Sequence, residues 1–119
     1  IKNKKMSKKF LYFAEADVET TAEALLVPVS AYRGCDPTAT TTTAFFFEDV
    51  EGAATREVVT LTHTAGKNKD VINAMVVIMN SGPHSDGFVV AADLNVAGGD
   101  ATIINSAFNG LGVSACAIA

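Results

Sequence analysis

The segment Gly66–Asn80 constrains the fold more than any other part of this chain, because its residue pattern is typical of a helix. Four of its apolar residues recur at spacings of three and four, which places them on one helical face: Val71, Met75, Ile78 and Met79. Asn68 or Thr64 is a candidate cap at its start, and Ser81-Gly82-Pro83 is a typical stop signal. We therefore predict a helix over about residues 67–80, and its nearly continuous apolar run predicts that it is covered on most sides.

The segments on both sides of this helix are rich in β-forming residues and are separated by turn-forming ones. They are Phe10–Ala14, Ala24–Tyr32, Thr38–Phe47 and Glu57–Thr64 before the helix, and Gly87–Leu94, Ala101–Asn105 and the tail Phe108–Ala119 after it. This order predicts an α+β fold, a mainly antiparallel sheet or sandwich with one helix packed on it. The uncharged tail predicts a last strand, in the sheet of its own chain or of a partner.

Local residue patterns make the predictions for some of these strands more specific. Glu57–Thr64 alternates between its two faces, which predicts a half-buried strand, whereas Phe10–Ala14 has large apolar residues on both faces. Pro28 cannot donate a ladder hydrogen bond, so Ala24–Tyr32 is expected at a sheet edge or at a bulge. The composition of Arg33–Pro37 predicts a turn.

The chain has 119 residues, a length that suits one domain with a core of its own. Its charged fraction is low. Only 18% of the residues are charged, against about 25% in an ordinary soluble domain. The surface should therefore be unusually neutral. Such surfaces are often covered by neighbouring subunits, although a small monomer with a neutral surface is the simpler alternative.

Charge is divided unevenly between a basic start, residues 1–9, and a single domain formed by residues 10–119. The start has five lysines and no acid, and we call it the cationic segment. The domain has the other four basic residues and all thirteen acids, a formal charge of −9. This asymmetry favours self-association, because the segment of one copy is attracted to the domain of the next. Nucleic acid is the weaker hypothesis, since the segment has no arginine or aromatic residue and the domain repels phosphate.

No apolar run is long enough to span a bilayer, and the basic start is not followed by the long apolar stretch of a secretory signal. We therefore expect no membrane partner and folding in the cytosol, where Cys35 and Cys116 would stay reduced. Met6 is an alternative start, because Met6-Ser7-Lys8-Lys9 has the form of an initiation site. In that case the cationic segment keeps only Lys8 and Lys9.

Residue types that carry catalysis form no recognisable constellation. His63 and His84 have no acidic residue at a spacing that would clearly orient them, and the neighbours of Cys116 are small and neutral. Asp93–Asp100 resembles a calcium loop only faintly, because a third early ligand and the terminal glutamate are missing. The tract Thr38–Thr43 is interpreted as an exposed strand or loop, and as an edge strand it would be available for β-augmentation by a partner. We therefore predict no catalytic residue, no metal and no cofactor, which argues against a small enzyme.

Several stretches of the chain resemble a group of small virion structural proteins of marine tailed bacteriophages, notably those that infect cyanobacteria. The resemblance is carried by Met6–Phe13, Leu26–Ser30, Val59–Val71 and Asn73-Ala74, and it extends over most of Met6–Ala92. It rests on no catalytic motif, and it implies a particle component that is present in many copies. No functional residues carry over from the group.

The uneven distribution of charge, the low charged fraction and this resemblance lead us to expect a non-enzymatic virion structural protein, a capsid decoration or cement subunit. Expected partners are the major capsid protein or another shell protein and further copies of this chain, in a virion assembled in the host cytoplasm. The residues expected to bind partners lie in the cationic segment, the threonine tract and the tail: Lys2, Lys4, Lys5, Lys8, Lys9, Thr40, Thr42, Leu111, Val113 and Ile118. The alternative is an adhesion or filament-forming subunit that assembles by strand exchange through the tail.

Overall fold

The computed structural model describes residues 9–16, 24–48, 56–80, 88–95 and 102–118. Its elements are β1 (Phe10–Ala14), β2 (Ala24–Pro28), β3 (Tyr32–Ala39), β4 (Thr42–Glu48), β5 (Arg56–Thr62), α1 (Asn68–Asn80), β6 (Phe88–Asp93), β7 (Ile103–Ile104) and β8 (Ala115–Ile118). Two short 3₁₀ turns, Val29–Ala31 and Ser106–Phe108, complete the described secondary structure.

The strands form two four-stranded sheets, in the orders β2-β1-β6-β7 and β3-β4-β5-β8. We call them the first and the second sheet. All neighbouring strands are antiparallel except β1 and β6, which are parallel. The predicted α+β fold, with mainly antiparallel sheets and one helix, is confirmed.

A single core connects both sheets and the helix. The rings of Phe13 in the first sheet and Phe47 in the second lie 5.8 Å apart between centroids. Helix α1 adds four buried side chains to this core: Val71, Ala74, Met75 and Ile78. Burying a valine, methionine or isoleucine side chain stabilises the fold by roughly 1.5–3 kcal/mol, so the apolar face of α1 accounts for its position.

The predicted helix is confirmed at Asn68–Asn80, but it is less covered than its apolar run suggested. Val76 and Val77 are 41% and 51% exposed on the outer side of α1. In the described part of the chain, this side of the helix is therefore only partly covered.

Three further predictions about strands are confirmed. Phe10–Ala14 is β1, and the alternation in Glu57–Thr64 matches β5, where Val59 and Leu61 are buried and Val58 and Thr60 are not. Pro28 ends β2, which is an edge strand of the first sheet. The chain then passes to the second sheet through the 3₁₀ turn, so the predicted single strand Ala24–Tyr32 is divided in two.

The turn predicted at Arg33–Pro37 is wrong, because these residues lie within β3. β3 is an edge strand, and its register against β4 shifts at Tyr32/Gly34 and again at Pro37/Ala39. Gly34 has a φ of 142°, a conformation that glycine adopts without strain. An irregular edge strand tolerates the glycine and proline that would break a central strand.

Candidate functional site

Lys9 is the one lysine of the cationic segment that the structure describes; Lys2, Lys4, Lys5 and Lys8 lie outside the described residues. Lys9 Nζ lies 3.3 Å from the carbonyl oxygen of Ile78 and 3.4 Å from that of Met79. These carbonyls belong to the last turn of α1, which has no basic residue of its own. Lys9 thus places a positive charge at the negative end of the helix dipole.

Replacing Lys9 with alanine is expected to lower the free energy of unfolding by about 1 kcal/mol, because the last turn loses its cation. Urea denaturation at low and high salt measures this loss, which should shrink as salt screens the charge. The matched control is Lys69→Ala, which removes an exposed lysine near the other end of α1. Equal losses for both variants would contradict the contact.

A deletion that tests the cationic segment should stop at Lys8, so that this contact is kept.

The threonine tract is a β-hairpin, which corrects the expectation that Thr38–Thr43 forms one edge strand or a loop. Thr38 belongs to β3, Thr40 and Thr41 form the turn, and Thr42 begins β4. The edge itself is β3, whose outer side carries Pro37 and an irregular register. Thr40 is exposed and Thr42 is half-buried.

The tip of this hairpin is bonded to the chain that leads into α1. The carbonyl oxygen of Thr40 accepts a hydrogen bond from the Gly66 N–H at 2.9 Å, and that of Thr41 accepts one from the His63 N–H at 2.8 Å. The hydroxyl oxygens of Thr38 and Thr42 lie 2.7 Å apart. The carbonyl oxygens of Thr40 and Thr41 and the hydroxyls of Thr38 and Thr42 are therefore all hydrogen-bonded within the protomer.

The tail forms a strand in the sheet of its own chain, which settles one of the two alternatives left by the sequence. β8 pairs with β5, and Ile118 is only 7% exposed, within the core. Its N–H donates to the Glu15 carboxylate at 2.5 Å, which joins β8 to the residue after β1. Leu111 and Val113 are half-buried against the same core. The side chain of Ile118 is thus covered in the single protomer.

Both nitrogens of the buried His63 ring are engaged in a polar network. Nδ1 lies 2.9 Å from the Thr64 carbonyl oxygen, which only accepts, so Nδ1 is the donor. Nε2 lies 2.9 Å from the hydroxyl of buried Thr43, which can therefore donate to it. That hydroxyl accepts in turn from Asn68 Nδ2 at 3.0 Å. Both ring nitrogens of His63 therefore have hydrogen-bond partners within the protomer. His84 lies outside the described residues.

Asn68 is the residue of this network whose role the sequence did not indicate. Its amide also donates to the carbonyl oxygens of Ala39 and Thr42, at 2.8 and 3.0 Å. Asn68 is the first residue of α1, and the carbonyl of Lys67 before it accepts from the Val71 N–H. The side chain predicted as a candidate helix cap therefore joins the β3–β4 hairpin to the start of α1.

The two cysteines are unpaired. Burial, and then the nearby Glu15 carboxylate, raises the pKa of the Cys116 thiol to about 12. The thiol stays protonated at neutral pH and is a poor nucleophile. Cys35 is half-buried on β3 beside Tyr32, whose pKa is raised by burial and by a hydrogen bond with Cys35.

Two features are absent from the part of the chain that the structure describes, a metal-binding cluster and a membrane-spanning helix. It holds no group of three His, Cys, Asp or Glu residues placed to bind a metal ion. No helix in the described ranges is long and apolar enough to cross a bilayer. In the segment that faintly resembles a calcium loop, the Asp93 carboxylate accepts from the Asn95 N–H at 3.1 Å, and residues 96–100 lie outside the described ranges.

The strand register reveals an apolar surface on the outer face of the first sheet. Leu26 on β2 pairs with Tyr12 on β1, and Tyr12 pairs with Val90 on β6. Paired residues share a face, and it is opposite to the one on which buried Leu11 lies. On the far edge Ile103 pairs with Asp93. The face thus spans four strands, about 14 Å at the usual strand spacing.

This face is only partly covered by the protomer, although Ala14, which pairs with Asp93, is fully buried. Leu26 is 49% and Ile103 is 54% exposed, although both lie in strands. Burial, and then the Asp93 carboxylate, raises the pKa of Tyr12, so its phenol stays neutral. The sequence contained one sign of this face, the large residues on both sides of β1, but not which side the core would leave exposed.

A comparison of the chain with protein-family models, curated proteins and solved structures finds no match. The resemblance to phage virion proteins therefore stays a prediction.

Proposed function

We propose that this protein is a non-enzymatic structural subunit of a virion, a decoration or cement protein. It would stabilise a capsid by covering contacts between shell subunits, in many copies, after assembly in the host cytoplasm. Its partners would be the major capsid protein or another shell protein, together with further copies of itself. The observation that carries the proposal is the exposed outer face of the first sheet.

The mostly apolar composition of that face is typical of a surface that binds another protein. Of the described side chains on it, Asp93 is the only charged one, while Leu26 and Ile103 are each about half exposed. Removing the rest of either side chain from water contributes about 1 kcal/mol. A single contact of this kind is weak, but it is repeated at every subunit of a shell.

Charge supports the same function. The cationic segment joins a domain with a formal charge of −9, so neighbouring copies or an acidic shell attract it. Lys9 holds the end of this segment against the C-terminal turn of α1. The attraction steers association and is screened by salt, whereas the apolar face contributes contact area.

Introducing a charge on this face is expected to abolish attachment to particles. Leu26→Asp or Ile103→Asp should reduce occupancy on phage heads built from the major capsid protein of the same phage at least tenfold, because a carboxylate would have to be desolvated in the contact. Cosedimentation with heads measures the occupancy.

The matched control is Asn109→Asp, which adds the same charge at an exposed loop position outside the sheets. It should bind as the unmodified protein does. Folded Leu26→Asp and Ile103→Asp proteins that bind heads normally would show that this face is not the attachment surface.

The alternative, a filament built by strand exchange through the tail, requires β8 to leave β5. The protomer would then lose the burial of Cys116 and Ile118 and the hydrogen bond to Glu15. Sedimentation of the isolated protein separates the two functions, because a filament subunit polymerises without any capsid.

A further inference from the structure

Helix α1 presents a second exposed apolar surface, on the opposite side of the helix from the core. Four exposed residues form it at spacings of three, one and three: Asn73, Val76, Val77 and Asn80. We call them the outer stripe. β-branched residues are poorer helix formers than alanine, lysine or glutamate, so two valines at exposed helical positions lower the stability of the lone protomer.

The outer stripe has the same pattern in both directions. Read from either end it is asparagine, valine, valine, asparagine at identical intervals. Two antiparallel helices related by a twofold axis between positions 76 and 77 therefore match each other. Val76 of one copy lies opposite Val77 of the other, and Asn73 lies opposite Asn80. An isologous contact requires this kind of self-complementarity.

We infer that the outer stripe of α1 is a contact between two copies of this chain, packed as antiparallel helices around a twofold axis. The valines would form its apolar centre, and each Asn73 amide would exchange hydrogen bonds with the Asn80 amide opposite. Antiparallel helices also bring opposite ends of their dipoles together.

The antiparallel direction follows from the symmetric residue pattern and from the helix dipoles, because the charges at the start of α1 are mixed. Asp70 lies 4.0 Å from Lys67 and next to exposed Lys69, whereas the Lys9 amine lies at the carbonyls of the last turn.

The contact buries little area, so it forms only where copies are concentrated. A helix of 13 residues is about 20 Å long, and one stripe on it covers much less than the ~800 Å² per partner of a stable interface. The pair should therefore be weak in dilute solution and form where copies are held close together. To that extent the inference rests on the proposed function, in which a shell supplies the high local concentration.

Disulfide trapping in a mixture of two variants tests the register. Asn73→Cys and Asn80→Cys, each in a Cys35→Ala background, are mixed in equal amounts at high concentration, with one of them isotope-labelled. Buried Cys116 is retained. Mild oxidation should yield the mixed 73–80 dimer at least tenfold over either homodimer, as measured by mass spectrometry. A statistical 1:2:1 distribution of 73–73, 73–80 and 80–80 dimers, or an excess of 73–73 dimers, would overturn the antiparallel contact.

Two further measurements keep the test independent of any failure of these variants to fold. Adding Val77→Lys to both variants should slow trapping at least tenfold without loss of helix by circular dichroism; an unchanged rate overturns the proposal. In the unmodified protein, amide NMR shifts that depend on concentration should concentrate on α1, and their absence from α1 would contradict it. Both use isolated protein, so their failure is distinct from a failure to bind phage heads.

Discussion

Replacing Gly112 with alanine is expected to lower the free energy of unfolding by about 3 kcal/mol or more. Gly112 has a φ of 69°, where an L side chain costs roughly 1–2 kcal/mol. An added Cβ would also lie 2.1 Å from Thr64 Oγ1 and 3.3 Å from the Thr64 backbone nitrogen. The loop cannot move away easily, because the Thr64 N–H donates to the Leu111 carbonyl at 3.0 Å. Urea denaturation monitored by circular dichroism measures the loss.

Gly110 offers a matched control in the same loop. Its φ is 80°, but an added Cβ would meet no atom within 4 Å. Gly110→Ala should therefore show only the backbone cost, about 1–2 kcal/mol. Adding Thr64→Ala to Gly112→Ala should recover the part of the loss that comes from the hydroxyl, which a double-mutant cycle isolates. Equal losses at Gly110 and Gly112 would show that the close approach to Thr64 is unimportant.

Replacing Asn68 with aspartate is expected to destabilise the protein by about 3 kcal/mol, although aspartate is favoured at the start of a helix. The Asn68 amide donates to the carbonyl oxygens of Ala39 and Thr42 and to the Thr43 hydroxyl. A carboxylate cannot donate and would face these oxygens with a negative charge. If Asn68 only capped α1, the same change would be neutral or stabilising.

The direction of the effect is therefore the informative result, again by urea denaturation. Asn73→Asp makes the same chemical change at an exposed position of α1, and it should change the free energy of unfolding by less than about 0.5 kcal/mol in dilute solution. An Asn68→Asp protein as stable as the unmodified one would mean that the hairpin and the helix are not joined through this amide.

The elements that sequence reasoning predicted correctly are those with a strong local period. The spacing of Val71, Met75 and Ile78 indicated α1, and the alternation in Glu57–Thr64 indicated β5. Arg33–Pro37 was mistaken for a turn, because glycine and proline are common to turns and to irregular edge strands. Only the pairing with β4 distinguishes the two.

The candidate partner-binding residues stay a prediction, and the structure shows where they lie. The threonine tract was seen as a strand or loop and is a hairpin whose tip is bonded to the start of α1. Ile118 was predicted to bind a partner because it lies in the apolar C-terminal tail, but its side chain lies in the core. The exposed positions, Leu26 and Ile103 on the first sheet and Val77 on α1, have the same residue types as the core and were not singled out.

The sequence by itself determined the α+β class, the helix, the edge position of Pro28 and the separation of charge between the cationic segment and the domain. These depend on periodicity, on a missing N–H and on composition, all of which are local or additive along the chain. Only the tertiary structure decided which apolar residues the core leaves uncovered. Exposure is a property of neighbours brought together from distant parts of the chain, so the same leucine, isoleucine or valine is core in one strand and surface in the next.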